Sequence, residues 1–130
     1  RLRCANIRVE LGDAAAERPE RAPFDRVLVD PPCSGLGTLQ ARADLRWRVT
    51  PAALTQLAGA QARILAAGAR ALRPGGVLVY STCTISASEN ERLIAAFLDS
   101  QPEFTLDHTV ATLPHRDRTA GFFISRLRRS

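Results

Sequence analysis

The chain is organised around two adjoining segments, Phe24-Asp25-Arg26-Val27-Leu28-Val29 and Asp30-Pro31-Pro32-Cys33-Ser34-Gly35-Leu36-Gly37. The first six residues form a short, β-branched apolar run, which is typical of a buried strand. The two prolines end the strand because neither can donate to a ladder hydrogen bond. An acid, a thiol and two glycines then follow at the carboxyl end of that strand, the edge at which open α/β sheets bind ligands. The pattern predicts an active-site loop over residues 30–37.

Strands and helices are predicted on both sides of this loop. Upstream, Asn6 to Leu11 alternates apolar and polar residues, which predicts a half-buried strand. Downstream, Thr50-Pro51 predicts the start of a helix whose apolar face repeats as far as Leu72 and which ends at Pro74-Gly75-Gly76. A second buried strand is predicted at Val77 to Tyr80.

The last third of the chain predicts another helix and two closing strands. Ser86 and Glu89 have capping-box spacing, which predicts the start of the helix. Phe104–Leu106 and Gly121–Leu127 predict strands, joined by a loop that holds Pro114 and both histidines. Strand, helix, strand, helix and final strands in this order predict an α/β domain with a mostly parallel sheet.

The composition fits a single globular domain with a polyanionic partner. The chain has 130 residues and is 45% hydrophobic, enough for one core. No apolar run reaches the roughly 18 residues that cross a bilayer, and the widely spaced Cys4, Cys33 and Cys83 make no disulfide framework, so we expect a reduced, cytoplasmic protein. The net charge of +5, carried on the basic side only by arginine, favours an anionic partner. A GC-rich coding bias is the alternative account of arginine in place of lysine.

Cys33 and Cys83 each follow a predicted strand. Because parallel strands end at the same edge of a sheet, we expect both thiols to face one crevice. Free cysteines are often small core residues, but two thiols in small-residue loops at neighbouring strand ends favour a nucleophilic site. A thiol-redox pair is an alternative, although C-x-x-C spacing is absent. His108 and His115 lack metal-ligand spacing, which argues against a zinc site.

Asp30 is the candidate acid of the loop, with a simple turn-capping role as the alternative. Asp-Pro-Pro-Cys differs by one residue from the Asp/Asn-Pro-Pro-aromatic motif of amino-group methyltransferases, in which the aromatic ring stacks on a flipped base. Cys33 cannot stack on a base, which argues against that chemistry.

Motifs along almost the whole chain, from Asn6 to Leu127, resemble those of the Sun/Fmu-type RNA (cytosine-5)-methyltransferases, which include the bacterial small-subunit ribosomal RNA enzyme. They occur in the family's order and with matching spacing: Val29–Thr38, Asp44-Leu45-Arg46-Trp47, Leu72-Arg73-Pro74-Gly75-Gly76, Tyr80-Ser81-Thr82-Cys83-Thr84, Glu89-Asn90-Glu91 and Gly121-Phe122-Phe123-Ile124. The resemblance implies a class I, Rossmann-like methyltransferase fold with an antiparallel final strand. It also implies S-adenosylmethionine as cofactor and RNA, expected to be ribosomal RNA, as substrate.

The resemblance further implies roles for four residues. Cys83, in the Thr-Cys motif, attacks carbon 6 of the target cytosine. Cys33, in the Pro-Cys motif, helps to release the product by removing the carbon 5 proton, directly or through water. Asp30 hydrogen-bonds the N3 edge of the cytosine and approaches the methionine end of the cofactor, and Asp13 lies near the adenine.

Several features depart from the family pattern. Its Gly-rich first motif, its ribose-binding acid and strands 1 and 2 of its 3-2-1-4-5-7-6 sheet are not found in this sequence. We therefore expect residues 1–130 to be the C-terminal part of a catalytic domain, and we expect the chain alone not to bind S-adenosylmethionine in the micromolar range. Pro31 stands where the family commonly has Ala, and Ala120 where an Asp often precedes Gly-Phe-Phe. An inactive fragment that keeps only a basic RNA-binding surface is the remaining alternative.

The segment Leu39–Val49 predicts a long loop at the same edge of the sheet. It carries Arg42, Arg46 and Arg48 around Trp47. Basic residues beside an aromatic ring suit contact with single-stranded nucleic acid. The alternative is a solvated loop whose tryptophan packs on the core.

Overall fold

The computed structural model describes residues 5–16 and 23–130, so Cys4 lies outside the described residues. Their α-helices and strands follow in the order β1 (Phe24–Val29), α1 (Leu45–Arg48), α2 (Pro51–Arg70), β2 (Leu72–Thr82), α3 (Glu91–Ser100), β3 (Phe104–Thr112), α4 (Pro114–Asp117) and β4 (Phe122–Arg129), with one turn of 3₁₀ helix at Leu36–Thr38 between β1 and α1. Within the described ranges, no helix is both long and apolar enough to cross a membrane.

The four strands form one sheet in the order β1-β2-β4-β3. β1 and β2 are parallel, whereas β4 is antiparallel to both of its neighbours, β2 and β3. β1, β2 and β3 therefore run in one direction and the final strand runs against them, which confirms the predicted mostly parallel sheet with an antiparallel last strand. The order corresponds to the 4-5-7-6 part of the sheet that the resemblance implies.

Helix α2 is the crossover that connects the two parallel strands. Thr50 caps its start, accepting a hydrogen bond from the Ala53 amide at 3.2 Å, and Pro51 occupies the first turn, as predicted. The helix packs against β1 at Gly68, where an added Cβ would lie 2.8 Å from Val29 Cγ2. The absent side chain at position 68 thus lets the helix lie close to the strand.

The predicted end of α2 is wrong by several residues. The helix ends at Arg70 rather than at Pro74-Gly75-Gly76, and Leu72 already belongs to β2. The Phe24 amide donates to the Ala71 carbonyl at 2.8 Å, so pairing with β1 begins immediately after the helix. A register shift between Phe24 and Arg26 accommodates the proline and glycines. Strand pairing, a long-range interaction, decided this boundary.

The core lies between the sheet and the two longer helices. Its centre is closed by side chains with almost no solvent exposure, among them Leu65 of α2, Leu78 and Tyr80 of β2, and Leu127 of β4. Phe97 of α3 packs edge-on against Phe104 with the ring centroids 5.2 Å apart. The core thus fixes α2 and α3 on one face of the sheet.

The opposite face of the sheet keeps apolar side chains exposed. Val27 and Val29 point toward Gly68 of α2, so Leu28 between them points away and is 68% exposed. On the same face, between β3 and β4, Val110 pairs with Ile124, and both side chains are more than a third exposed. The described residues thus cover one face of the sheet with helices and leave the other open.

Two further expectations are corrected. Asn6–Leu11 forms no strand, and Val9 is 88% exposed. Alternation alone cannot make a strand, since its backbone groups need a neighbouring strand to pair with, and none of the described strands pairs with this segment. The histidines do not share a loop: His108 lies in β3 opposite Arg126, and His115 lies in α4.

Candidate active site

The two thiols lie side by side at the carboxyl edge of the parallel strands. Cys83 directly follows β2 and Cys33 follows β1 by a short loop. Their sulfurs are 3.4 Å apart, both cysteines are half-buried, and neither is in a disulfide. The expected proximity of the thiols is confirmed. Since a disulfide bond measures about 2.05 Å, the contact is an S–H···S hydrogen bond.

The surroundings of Cys33 favour its protonated form. Burial, and after it the hydrogen bond with Cys83, raise the pKa of the Cys33 thiol from 9.0 to about 11. Cys33 therefore keeps its proton at neutral pH and is able to donate it in a hydrogen bond to the Cys83 sulfur.

Backbone contacts hold the two cysteine loops together. The Gly37 amide donates to the Cys83 carbonyl at 3.0 Å, and the Gly121 amide donates to the Gly37 carbonyl at 2.8 Å. A Cβ on Gly37 would lie 2.0 Å from the Gly121 oxygen. Gly35 adopts a φ of 69°, which favours glycine. The loop after Cys33 thus needs its glycines both for its turn and for its close approach to Cys83 and to residue 121.

Glu89 is a buried residue whose place the sequence analysis missed. Its side chain is fully buried and accepts hydrogen bonds from the Ser34 amide at 2.9 Å, the Ser34 hydroxyl at 2.5 Å and the Gln61 side chain at 2.9 Å. The predicted capping box is therefore wrong: α3 begins at Glu91, after Asn90, and Glu89 reaches across to the Pro-Cys loop instead. A buried carboxylate requires several donors, and Ser34 and Gln61 supply them.

Asn90 and Gln61 hold the residues next to the two thiols. The Asn90 amide group donates to the Thr84 carbonyl at 2.9 Å and its oxygen accepts from the Thr82 hydroxyl at 2.6 Å, so it bonds both neighbours of Cys83. Gln61 donates to the Pro32 carbonyl at 2.9 Å, next to Cys33. One sequence signal was present for Gln61, because it is a polar residue on an otherwise apolar or small helix face.

The two candidate acids border neighbouring concavities along β1. Asp30 lines a cavity of about 300 Å³ that also touches Ala14 and Gly68. Asp13 lines a second cavity of about 170 Å³, which shares Ala14 and Gly68 with the first. Both carboxylates are exposed, and the Asp13 carboxylate accepts from the Ala15 amide at 2.9 Å. The structure thus brings the acids to adjoining hollows.

The arginine-rich segment lies on the Pro-Cys loop. It contains the short helix α1, where a continuous loop was predicted. Leu45 of this helix is buried, with its Cδ1 3.1 Å from the position that a Cβ on Gly35 would occupy. Trp47, two residues further on, is 88% exposed, so the alternative in which it packs on the core is wrong. Trp47 and its neighbouring arginines thus face solvent beside the loop that carries Cys33.

A family model and the curated relatives of this chain carry the same description, that of a small-subunit ribosomal RNA methyltransferase. The family model described as 16S rRNA methyltransferase RsmB/F matches residues 1–128. The probable ribosomal RNA small subunit methyltransferase B of Synechocystis sp. is 39% identical, over 100% of this chain and 33% of its own length. The protein of the same description from Bacillus subtilis is 36% identical, over 99% and 33%. The chain thus spans about a third of the length of these curated relatives.

Among solved structures, that of NSun6 from Pyrococcus horikoshii with SFG is similar to this chain. It is 31% identical with a TM-score of 0.84, and the match covers 96% of this chain and 35% of the other. The likeness thus extends over nearly the whole of this chain. With the family model matched from residue 1 to residue 128, the chain belongs to the RsmB/F family of 16S rRNA methyltransferases.

Proposed function

We propose that the full-length protein containing this chain is an S-adenosylmethionine-dependent ribosomal RNA (cytosine-5)-methyltransferase. The observation that carries the proposal is the pair of free thiols, 3.4 Å apart, at the ends of adjacent parallel strands. Membership of the RsmB/F family and the likeness to a structure solved with SFG, an analogue of the cofactor, support the substrate class and the cofactor.

Covalent addition explains why the reaction needs a thiol. Carbon 5 of cytosine is too weak a nucleophile to take a methyl group unaided, and a covalent intermediate divides this step into two easier ones. The Cys83 thiolate forms a bond to carbon 6, which makes carbon 5 the nucleophilic end of an enamine. S-adenosylmethionine, when bound, supplies the methyl group. A base buried in a helix is out of reach, so the cytosine has to be single-stranded or flipped out.

In this proposal, Cys33 completes the reaction. Carbon 5 is the neighbour of the carbon that Cys83 binds, and the Cys33 sulfur lies 3.4 Å from the Cys83 sulfur. Removal of the carbon 5 proton, directly by Cys33 or through water, restores the double bond between carbons 5 and 6 and expels the Cys83 thiolate. The raised pKa of Cys33 makes its thiolate a strong base, although a scarce one at neutral pH.

The exposed acids suit the remaining binding tasks. Carboxylates accept hydrogen bonds, and S-adenosylmethionine carries an ammonium group and ribose hydroxyls that donate them. Asp30 would hold the methionine end of the cofactor and the N3 edge of the cytosine, and Asp13 would lie near the adenine. Their adjoining cavities along β1 fit an extended ligand.

Bisulfite sequencing of ribosomal RNA tests the proposed function. In cells that lack the gene for the full-length protein, we expect one cytosine to lose its protection from conversion. Restoring the gene should restore that protection, whereas restoring it with Cys83→Ala should not. An unchanged set of protected cytosines in the deletion would overturn the proposal.

The arginine-rich surface on α1 and its preceding turn is expected to contact RNA. Replacing Arg42, Arg46 and Arg48 by alanine should weaken RNA binding, and the slope of log K against log salt should fall by roughly one unit per lost phosphate contact. The measurement is a fluorescence-anisotropy titration at several salt concentrations.

A matched control uses three arginines of β2 and β4 that lie outside the cysteine loops. Replacing Arg73, Arg126 and Arg128 removes the same charge. Arg73 lies near the start of β2, and Arg128 and Arg126 pair with Val77 and Val79, before the end of β2 that Cys83 follows. The control should leave the slope nearly unchanged. Equal slopes in both triple variants would show that the α1 surface makes no phosphate contacts.

A thiol-redox module is the second candidate, favoured by the same short sulfur separation. Such a protein would lose both free thiols on mild oxidation, at a reduction potential in the cellular range, and would transfer no methyl group to RNA. Methyl transfer to cytosine by the reduced protein would support the methyltransferase over the thiol-redox module. The same result would exclude an inactive chain that only binds RNA.

A further inference from the structure

In the described chain, the two sulfurs are each other's side-chain hydrogen-bond partners, at 3.4 Å. The Cys33 thiol also takes part in backbone hydrogen bonds with Gly35 and Cys83. All of these contacts depend on how the two cysteine loops lie against each other, which the residues next to the thiols determine. On the Cys33 side these are Pro32 and Ser34, and on the Cys83 side they are Thr82 and Thr84.

Glu89 connects both sides through one buried carboxylate. Its Oε1 accepts from the Ser34 amide and its Oε2 from the Ser34 hydroxyl, at 2.9 and 2.5 Å. The Thr84 hydroxyl lies 3.3 Å from Oε2 and 2.7 Å from the Ser34 hydroxyl. The residue after Cys33 and the residue after Cys83 thus meet at Glu89, which is 55 positions from Ser34 along the chain.

Gln61 anchors this junction to the long helix. Its side-chain nitrogen donates to Glu89 Oε1 and to the Pro32 carbonyl, both at 2.9 Å. Glu89 and Gln61 are both 0% exposed. Buried hydrogen bonds of this kind are costly to break, because each partner left behind is desolvated and unpaired.

We propose that Glu89 is a positioning residue that fixes the distance between the Cys33 and Cys83 sulfurs, and through it the rate of methyl transfer. The rate part of this inference rests on the proposed function, whereas the distance part does not. Glu89 touches neither sulfur in any described hydrogen bond and acts through Ser34 and Thr84.

Three substitutions separate geometry from charge. Glu89→Gln keeps the length: its amide oxygen can accept from Ser34 and Gln61, and its amide nitrogen can donate to the Ser34 hydroxyl, which then donates to Thr84. Glu89→Asp keeps the charge but withdraws the carboxylate by one methylene. Glu89→Ala removes every side-chain hydrogen bond of residue 89. Ser125→Ala is the control, because it deletes a buried hydroxyl that bonds Thr109 between β3 and β4, outside this network.

Two measurements on the full-length protein test the inference. The first is the rate at which diamide forms a Cys33–Cys83 disulfide in the absence of RNA and cofactor; the two thiols lose two protons and two electrons, and the azo group of diamide is reduced to a hydrazine. The second is the split between kcat and KM for methyl transfer. Mass spectrometry of tryptic peptides identifies the disulfide.

Glu89→Ala and Glu89→Asp should lower kcat by about 100-fold, the loss of rate expected when a catalytic group is displaced by about 1 Å, with little change in the KM for RNA. The same two variants should form the disulfide roughly tenfold more slowly than the wild type, because the two sulfurs meet less often. Glu89→Gln and Ser125→Ala should stay close to wild type in both. Disulfide formation in Glu89→Asp at the Ser125→Ala rate would overturn the inference, as would a Glu89→Gln protein as slow as Glu89→Asp. Absence of methyl transfer in the wild type would refute the proposed function, but the disulfide rates would still decide the role of Glu89.

Discussion

Replacing Cys83 by alanine in the full-length protein is expected to abolish methyl transfer, to at most about 10⁻³ of the wild-type rate, together with the covalent adduct on RNA. Replacing Cys33 by alanine is expected to do the opposite to the adduct and trap RNA on Cys83. The reason is that the two sulfurs, 3.4 Å apart, are proposed to act in different steps, Cys83 in addition and Cys33 in release. In the proposed mechanism, addition to carbon 6 requires only the Cys83 thiolate, whereas release requires loss of the carbon 5 proton.

Denaturing gel electrophoresis measures the trapped species directly. A band of protein joined to RNA should accumulate with Cys33→Ala in the presence of cofactor and be absent with Cys83→Ala. The double variant is the control, and it should show no such band because the nucleophile is missing. A stable adduct with Cys83→Ala and none with Cys33→Ala would reverse the two roles.

Gly37→Ala is expected to destroy the geometry of the same site by a steric route. The added Cβ would lie 2.0 Å from the Gly121 oxygen and 2.6 Å from the Gly121 carbonyl carbon. Both neighbours are backbone, so relief requires breaking the bond from the Gly37 amide to Cys83 or the bond from Gly121 to Gly37. Overpacking of this kind typically costs about 1–3 kcal/mol, and methyl transfer should fall along with the free energy of unfolding.

Urea denaturation of the full-length protein measures the stability, and Gly59→Ala supplies a control of identical chemistry. Gly59 lies in α2, and a Cβ there would have only the Arg63 guanidinium nearby, at 3.9 Å. Alanine at a compatible helix position stabilises by up to about 1 kcal/mol, so this variant should be at least as stable as the wild type. Equal stability and activity of the two variants would show that the loop at Gly37 rearranges freely.

Local patterns were sufficient for the features that depend on local chemistry. The Thr50-Pro51 pair marks the start of α2 in both sequence and structure, because capping satisfies amides within one turn. The proximity of Cys33 and Cys83 followed from one topological fact, that neighbouring parallel strands end at the same edge of the sheet.

Long-range partners explain the failures. Ser86 and Glu89 satisfy the spacing of a capping box. The Glu89 side chain instead accepts buried hydrogen bonds from Ser34 and Gln61, in place of a capping hydrogen bond at the start of a helix. Asn6–Leu11 has the alternation of a strand, yet pairing needs a neighbour that no local pattern specifies. Neither interaction leaves a signature within a window of a few residues.

The exposure of Trp47 has a practical consequence. It is the only tryptophan in the 130 residues, and its indole is 88% open to solvent on a helix held by Leu45 against the Pro-Cys loop. Its fluorescence therefore comes from one known place, with a red-shifted emission typical of a hydrated indole. An RNA base that stacks on the ring would quench this emission at equilibrium without any turnover. The chain thus carries its own optical probe, which reports when a nucleotide lies on the surface beside the thiols, independently of whether methyl transfer follows.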